Sequence, residues 1–304
     1  MEVSIVMPAY NAANTIAESI ESVLKQTYKN WELIIVNDCS TDQTASIAKN
    51  YCANNSKIRL LTHDVNKGLS ASRNTAISHA QGKWICFLDS DDVWHHEKLE
   101  LQCEFHMQNE TFLISHTNLE YFCADRVIKR PWKSFTEITY PKTGHLLPTL
   151  YYKNPIGVLT VMVEKDLLLK VGGFDISLPT LEDNDLWIRI AEKGTRFGYL
   201  SKVLAYYRIS NGSLSNSINK YKKAYKIFIA KYADKVTDQQ GLFDKIWGNY
   251  YRHFGTMYFK NKKYRLANLY FCKAISHHGI SYVSLTTLFY IILTTTKLKL
   301  RKVV

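Results

Sequence analysis

Four short apolar runs open the chain: Val3 to Met7, Trp31 to Asn37, Ile58 to Leu61 and Trp84 to Leu88. Between the first two, Ile16, Ile20, Val23 and Leu24 recur at helical spacing. Ser40 and Gln43 stand at capping-box spacing for a second helix through about Asn50, and residues 69 to 80 form a third helical pattern with Gly82 just past its end. Strand and helix alternate in units of about 30 residues, which predicts a mostly parallel sheet covered by helices on both faces. Such sheets bind ligands outside the carboxyl ends of their strands. The polar groups fall there: Pro8, Ala9, Tyr10 and Asn11 after the first strand, Asn37 and Asp38 after the second, His63 and Asp64 after the third, and Asp89, Ser90, Asp91 and Asp92 after the fourth.

Further strands are expected at Phe112 to Phe122, Val158 to Val163 and Val203 to Tyr207, with helices at Lys165 to Val171 and Leu181 to Lys193. From about residue 215 the pattern is all helical, and Tyr221, Tyr225, Phe228 and Tyr232 form an aromatic stripe with lysines around it. "KNKKYRLANLYFCKAIS", residues 261 to 276, resembles half of a helical-hairpin repeat. Two domains are therefore expected, an α/β domain over 1–215 and a helical extension over 216–304.

Charge separates the same two parts. Residues 1 to 219 carry 22 Lys/Arg against 24 Asp/Glu, whereas residues 220 to 304 carry 17 against 3, a net of +14. Such a surface suits nucleic acid or an anionic membrane leaflet. Gly279 to Thr296 holds no charge over 18 residues and is followed by Lys297, Lys299, Arg301 and Lys302, a pattern that favours a helix docked on a membrane interface over one that spans it. The six scattered cysteines have no metal-site spacing, and the opening "MEVSIVMPAY" has no basic region before an apolar stretch, so reduced thiols and a cytoplasmic location are expected.

Asp89 and Asp91, one residue apart at a strand end, can face one cleft if the chain there stays extended. Their repulsion calls for a hard divalent cation, Mn²⁺ or Mg²⁺, which takes carboxylates together with substrate phosphates. Phosphates imply a nucleotide, yet neither a GxGxxG turn after a strand nor a P-loop is present. The stretch "NKGLSASRN", residues 66 to 74, instead supplies Lys67 and Arg73 beside Gly68 at a helix start, while Asp38 can accept from a base N–H and Tyr10 can stack on it. A second acidic group, Glu182, Asp183 and Asp185, opens a later helix, and an acid there facing the metal cleft would suit a general base.

"VSIVMPAYNAANTIAESIESVLKQTYKNWELIIVNDCSTDQT", "NKGLSASRNTAISHAQGKWICFLDSDDVW" and "VGGFDISLPTLEDNDLWIRIAEKG" together resemble the family 2 glycosyltransferases over about residues 1 to 215. The resemblance implies the GT-A fold, a Rossmann-like sheet flanked by helices, and an inverting enzyme of bacterial polysaccharide or lipopolysaccharide assembly. It implies that Pro8, Ala9, Tyr10 and Asn11 line the nucleotide site and that Asp38 binds uracil. Lys67, Gly68, Arg73, Asn74, Asp89 and Ser90 then lie near the nucleotide and its phosphates. Asp89 and Asp91 match the DxD motif with Asp91 as the metal ligand, Asp183 matches the catalytic base, and Glu182 and Trp187 belong to the substrate site. In this family a Tyr-Arg-x-His pattern often follows the last strand; here Ser210 replaces the histidine.

The implied activity is metal-dependent transfer of a sugar, from a UDP-hexose or UDP-N-acetylhexosamine, to a glycan or lipid-linked acceptor. The basic extension would then hold the enzyme peripherally on the inner face of the cytoplasmic membrane, and its aromatic helices also suit a homo-oligomer. A sugar nucleotidyltransferase would want a glycine-rich basic loop after the first strand, and "PAYNAANT" has neither glycine nor cation. A nucleic-acid-binding protein would use the basic tail, but its lysines lie on aromatic helices and no nucleic-acid motif appears, so no nucleic-acid partner is expected.

Overall fold

The computed structural model describes residues 2–123, 126–128, 142–209, 218–236, 240–278, 287–288 and 290–295. The chain divides into two compact units: Met1–Leu147 with Pro155–Asn211, and Pro148–Asn154 with Gly212–Val304.

The first unit is built on a nine-stranded sheet in the order β3-β2-β1-β4-β8-β6-β9-β5, with β7 paired to β6. Its opening strands are β1 (Val3–Ala9), β2 (Trp31–Asn37), β3 (Ile58–Thr62) and β4 (Trp84–Phe87), joined through α1 (Ile16–Leu24), α2 (Thr44–Asn54) and α3 (Leu69–His79). These four strands are parallel to one another. Every residue of β1 is buried, as a parallel strand covered on both faces requires. Ala9 stands opposite Asn37 and Asn37 opposite Thr62, while β4 ends with Phe87 opposite Val6. All four polar clusters therefore lie at one edge.

The remaining elements are β5 (Val93–Trp94), α4 (Lys98–Gln108), β6 (Ile114–Cys123), β7 (Arg126–Ile128), β8 (Met162–Glu164), α5 (Lys165–Lys170), α6 (Glu182–Ala191) and β9 (Phe197–Arg208). β8 runs antiparallel to both β4 and β6, β9 runs parallel to β6, and β5 pairs with β9 alone.

Several local expectations are corrected. No capping box forms between Ser40 and Gln43: Ser40 Oγ accepts the Asn11 N–H, and Asp42 Oδ1 accepts the Thr44 N–H at the start of α2. The stretch Val158 to Val163 divides into a 3₁₀ turn, Val158–Thr160, and β8. β9 begins well before Val203, because Ser201 and Lys202 are exposed in the middle of a strand whose first residues are buried.

In the second unit α7 (Ile218–Val236), α8 (Gln240–Lys260) and α9 (Tyr264–His278) pack around an aromatic interior. The expected stripe points inward. Phe228 and Tyr232 are buried, and Tyr225 meets Phe254 edge-on at 5.8 Å between ring centroids. Phe254, Met257, Tyr258, Ala267 and Phe271 complete that core. The segment Pro148–Asn154 joins the unit through Tyr151, edge-on to Tyr232 at 5.7 Å, and through the Tyr152 carbonyl, which accepts from Asn249 Nδ2 at 3.0 Å. α8 and α9 form a hairpin whose turn places Lys262 at a φ of 56°. Of the uncharged stretch Gly279 to Thr296, residues 287–288 and 290–295 are described, as helix; the rest lies outside the described residues. Among the described residues no helix is long and apolar enough to cross a membrane.

Candidate active site

The loops after β1 and β2 are stitched together by side chains rather than by regular structure. Asn11 and Cys39 both adopt left-handed backbone, φ 49° and 59°, a conformation that non-glycine residues visit rarely. Asn11 Oδ1 accepts the Thr41 N–H at 2.9 Å, and Thr44 Oγ1 accepts the Ala12 N–H at 2.7 Å. Pro8 and Ala9 are buried residues at the end of β1, and the Ala9 carbonyl accepts the Asp38 N–H. Tyr10 is 52% exposed and presents an aromatic face at this edge.

Asp38 is a buried hub. Its Oδ1 accepts from the Lys67 N–H and from His63 Nδ1, both at 2.8 Å, and its Oδ2 accepts from the Gly68 N–H at 2.8 Å. Because the carboxylate accepts, Nδ1 of His63 donates to it, and Nε2 lies 3.0 Å from the Thr75 hydroxyl. Gly68 caps α3 at a φ of 88°, a backbone that disfavours a side chain at that position. The Lys67 side chain is exposed beside it.

The acidic turn departs from its expected extended shape. The Asp92 N–H donates to the Asp89 carbonyl at 3.1 Å, which closes a turn and sends its carboxylates in different directions. Asp89 meets Arg73: Nη2 donates to Oδ1 at 2.8 Å and to Oδ2 at 3.0 Å, while Nη1 donates to Glu182 Oε1 at 2.8 Å. The Arg73 side chain is 1% exposed and lies 5.1 Å over the Phe174 ring. Burial works against its charge, and Asp89 and Glu182 outweigh it, so the guanidinium pKa is raised.

Two placements implied by the resemblance differ here. Arg73 is an internal strut and not a cation open to phosphates. Asn74 turns both ends of its amide to Phe174, accepting from its N–H and donating to its carbonyl, each at 2.8 Å. Gly173 permits that contact, since a Cβ there would stand 2.6 Å from Asn74 Oδ1. Trp187, read as part of the substrate site and packing below it, is fully buried, 6.4 Å from Phe87 between ring centroids.

Asp92 turns inward and accepts the Arg208 N–H through Oδ1 at 2.8 Å. Arg208 Nε donates to the Asp91 carbonyl at 2.7 Å and Nη2 pairs with Glu18 on α1. Asp91 is left between the two arginine clusters. Burial, then the charge of Asp89, pushes its carboxyl up to about 6, and burial together with Asp91 raises Asp92 well above the usual carboxylate range.

α6 begins behind Leu181, which holds a left-handed φ of 65°. Its three acids have different fates. Glu182 is buried on Arg73, and Asp185 is fully buried on Arg189, which donates to it through Nε and Nη2 at 2.8 Å. Asp183 remains half-exposed and accepts the Asn184 N–H at 2.7 Å.

The donors suit a hard divalent cation. Asp89, Asp91, Asp92, Glu182 and Asp183 share this edge with two guanidiniums, Arg73 and Arg208, and Asp92 Oδ2 is buried with no hydrogen-bond partner among the described residues. An all-oxygen set with excess negative charge fits Mn²⁺ or Mg²⁺. His95, His96 and Glu97 also bring three ligand atoms within 4.8 Å of one another, but this half-exposed group includes none of these acids.

The family model "Glycosyl transferase family 2" matches residues 4–163. The chain belongs to that family. It is 36% identical over 225 residues to the Escherichia coli UDP-Glc:alpha-D-GlcNAc-diphosphoundecaprenol beta-1,3-glucosyltransferase WfgD, covering 73% of this chain and 81% of WfgD. The mannosyltransferase PcManGT from Pyrobaculum calidifontis, solved with GDP-Man and Mn²⁺, superimposes with a TM-score of 0.63 at 17% identity, over 97% of this chain and 86% of its own. The S. aureus TarS 1-349 complex with UDP-GlcNAc gives 0.59 at 18% identity, over 91% and 89%. The fold is therefore GT-A, and this family 2 member is a glycosyltransferase.

Sequence reasoning brought Tyr10, Asp38, Lys67, Gly68, Asp89, Ser90, Asp91, Glu182 and Asp183 to this family's edge of the sheet. It missed Phe174, Arg208 and Glu18, and it brought His63 to the edge without a role. Arg208 left a signal, a cation at the end of the last strand answering an acidic run, but nothing local in the sequence connects residue 208 with residue 92. Ser210, the departure from the family pattern, lies outside the described residues.

Proposed function

We propose that the chain transfers a hexose or N-acetylhexosamine from a UDP-sugar, with inversion at the anomeric carbon, to a hydroxyl of a lipid-linked glycan. The observation that carries the reading is the sorting of acids on α6: Glu182 and Asp185 are each buried on an arginine, while Asp183 stays half-exposed at the edge that holds Asp91. The printed name of WfgD, a UDP-glucose enzyme acting on a diphosphoundecaprenol-linked sugar, supports the UDP donor and the lipid-linked acceptor.

Asp183 removes the proton from the acceptor hydroxyl as its oxygen attacks the anomeric carbon from the face opposite the nucleotide. The new C–O bond forms as the bond to the diphosphate breaks, so an α-linked donor yields a β-glycoside. Asp38 and Tyr10 take the nucleobase, and Lys67 lies toward the phosphates. A divalent cation held by Asp91 would offset the charge that builds on the departing diphosphate. The basic helical unit docks on an anionic leaflet, where each Lys or Arg near the surface contributes about 1 kcal/mol, and so places the catalytic unit within reach of its acceptor.

Thermal unfolding with UDP, GDP, CDP and dTDP, each with and without Mn²⁺, tests the reading. A metal-dependent rise with UDP alone supports it, since a ligand at about 100 times its dissociation constant adds about 2.7 kcal/mol. A rise confined to GDP, or none with any nucleotide, rejects the UDP assignment.

A further inference from the structure

The large exposed apolar side chains of the helical unit are not scattered. Among its described residues they are Leu266 and Leu269 on α9, and Leu288 and Ile292 on the helical piece that follows. Leu269 is 50% and Ile292 63% exposed. On α9 the inward side is taken by Ala267, Phe271 and Ala274, so Leu266 and Leu269 belong to the opposite, outer arc together with Arg265, Cys272 and Lys273. On the later piece Leu288, Ile292 and Thr295 share one face at i, i+4 and i+7.

The two faces adjoin. Phe271 stacks on Tyr290 at 5.2 Å between ring centroids, and Asn268 Nδ2 donates to the exposed Thr295 Oγ1 at 3.5 Å. That rim contact turns the leucine face of α9 and the Leu288/Ile292 face toward the same side. Neither α9 nor the described part of the later piece carries a carboxylate, whereas Lys260, Lys262, Lys263, Arg265 and Lys273 are exposed around or within the patch.

Apolar side chains in the middle, cations around them and no acid on either piece form the pattern of an interfacial helix face. We infer that Leu266, Leu269, Leu288 and Ile292 form a wedge that enters the acyl boundary of an anionic bilayer while the surrounding lysines and arginines hold the headgroups. The inference rests on the membrane-docking reading above and gives it a particular face. A second copy of the chain would also cover apolar surface, but two copies meeting here would bring their cations together with no carboxylate on either face to offset them.

Flotation of the full chain with phosphatidylcholine vesicles, and with phosphatidylcholine/phosphatidylglycerol vesicles at low and high salt, tests it. The wild type is expected on the phosphatidylglycerol vesicles, with part of the binding surviving high salt because insertion is not screened. The double substitution Leu269→Glu with Ile292→Glu is expected to lower the bound fraction at least ten-fold without altering the thermal midpoint. A single Leu269→Trp, which keeps the face apolar, is expected to shift its emission to the blue on phosphatidylglycerol vesicles. Wild-type binding that survives the double substitution, or an unshifted Leu269→Trp spectrum on bound protein, overturns the wedge and leaves docking by charge standing. No wild-type binding at all overturns the docking reading with it. A dimer in light scattering that the double substitution splits, with vesicle binding unchanged, assigns the face to a second copy instead.

Discussion

Arg73 Nη1 lies 2.8 Å from Glu182 Oε1, joining the third helix of the sheet to the first turn of α6 across 109 residues of chain. Its other nitrogen holds Asp89, so the acidic turn and the helix that carries Asp183 share one internal cation. Replacing Arg73 by Met leaves the buried Glu182 carboxylate and the partly exposed Asp89 without their cation, and breaking a buried pair by removing one partner costs about 3–5 kcal/mol. The thermal midpoint of the catalytic unit should fall steeply, and a further Glu182→Gln should recover part of the loss. An unchanged midpoint in Arg73→Met would show that the strut carries no load.

Asp183→Asn keeps the shape of the side chain and removes its basicity. Turnover should fall roughly 10²- to 10⁴-fold, with UDP affinity measured by calorimetry close to that of the wild type. Wild-type turnover in this variant would move the base elsewhere.

Asp91 is expected to trade stability against metal binding. Its carboxyl is raised from 3.8 to about 6 in the folded protein, so the folded state binds more protons than the unfolded chain between those values, and stability falls as pH rises through that window. At pH 7.5 the full cost, on the order of 3 kcal/mol, is present. Asp91→Asn should therefore raise the midpoint in EDTA by a few degrees while abolishing the rise that Mn²⁺ gives the wild type. If Mn²⁺ stabilises both proteins equally, Asp91 is not the ligand.

Acid should weaken the catalytic unit through His116. Its ring is buried against Tyr199, its Nε2 donates to the Lys142 carbonyl at 2.7 Å, and burial lowers its pKa from 6.5 to about 4. The unfolded chain takes up this proton first as pH falls below about 6.5, so stability is lost between 6.5 and 4 and no more is lost below that. The loss is on the order of 3 kcal/mol. Unfolding midpoints from pH 7.5 to 4.5 should fall less steeply in His116→Gln, which keeps a donor without titrating; parallel curves would exclude His116 as the source.

The parallel half of the sheet was legible because burial on both faces leaves its strands as unbroken apolar runs, as in Ile5 to Met7 and Leu33 to Val36. β9 was half hidden, since Ser201 and Lys202 face solvent there and interrupt the run. The acidic turn was found by its composition, but its shape was not. The fates of Asp89 and Asp92 are decided by Arg73 and Arg208, partners 16 and 116 residues away in sequence. Glu182, Asp183 and Asp185 look alike in one helical turn, but Glu182 is held by Arg73, 109 residues away in sequence, and Asp185 by Arg189 one turn further along the same helix. Asn74 was drawn toward the ligand by the family pattern, whereas in the structure it holds the backbone of Phe174.

Among the described residues β5 pairs with β9 and with no other strand, and Asp92 and the Asp91 carbonyl are both held by Arg208 at the end of β9. A ribosome makes residues 89 to 94 more than a hundred residues before it makes Arg208. The nascent chain can thus complete β1 to β4 and their helices while the acidic turn still lacks its clamp. The part of the enzyme that gathers the most negative charge takes shape only when the last strand of its unit emerges, so a chain stalled before β9 carries a sheet without a working centre.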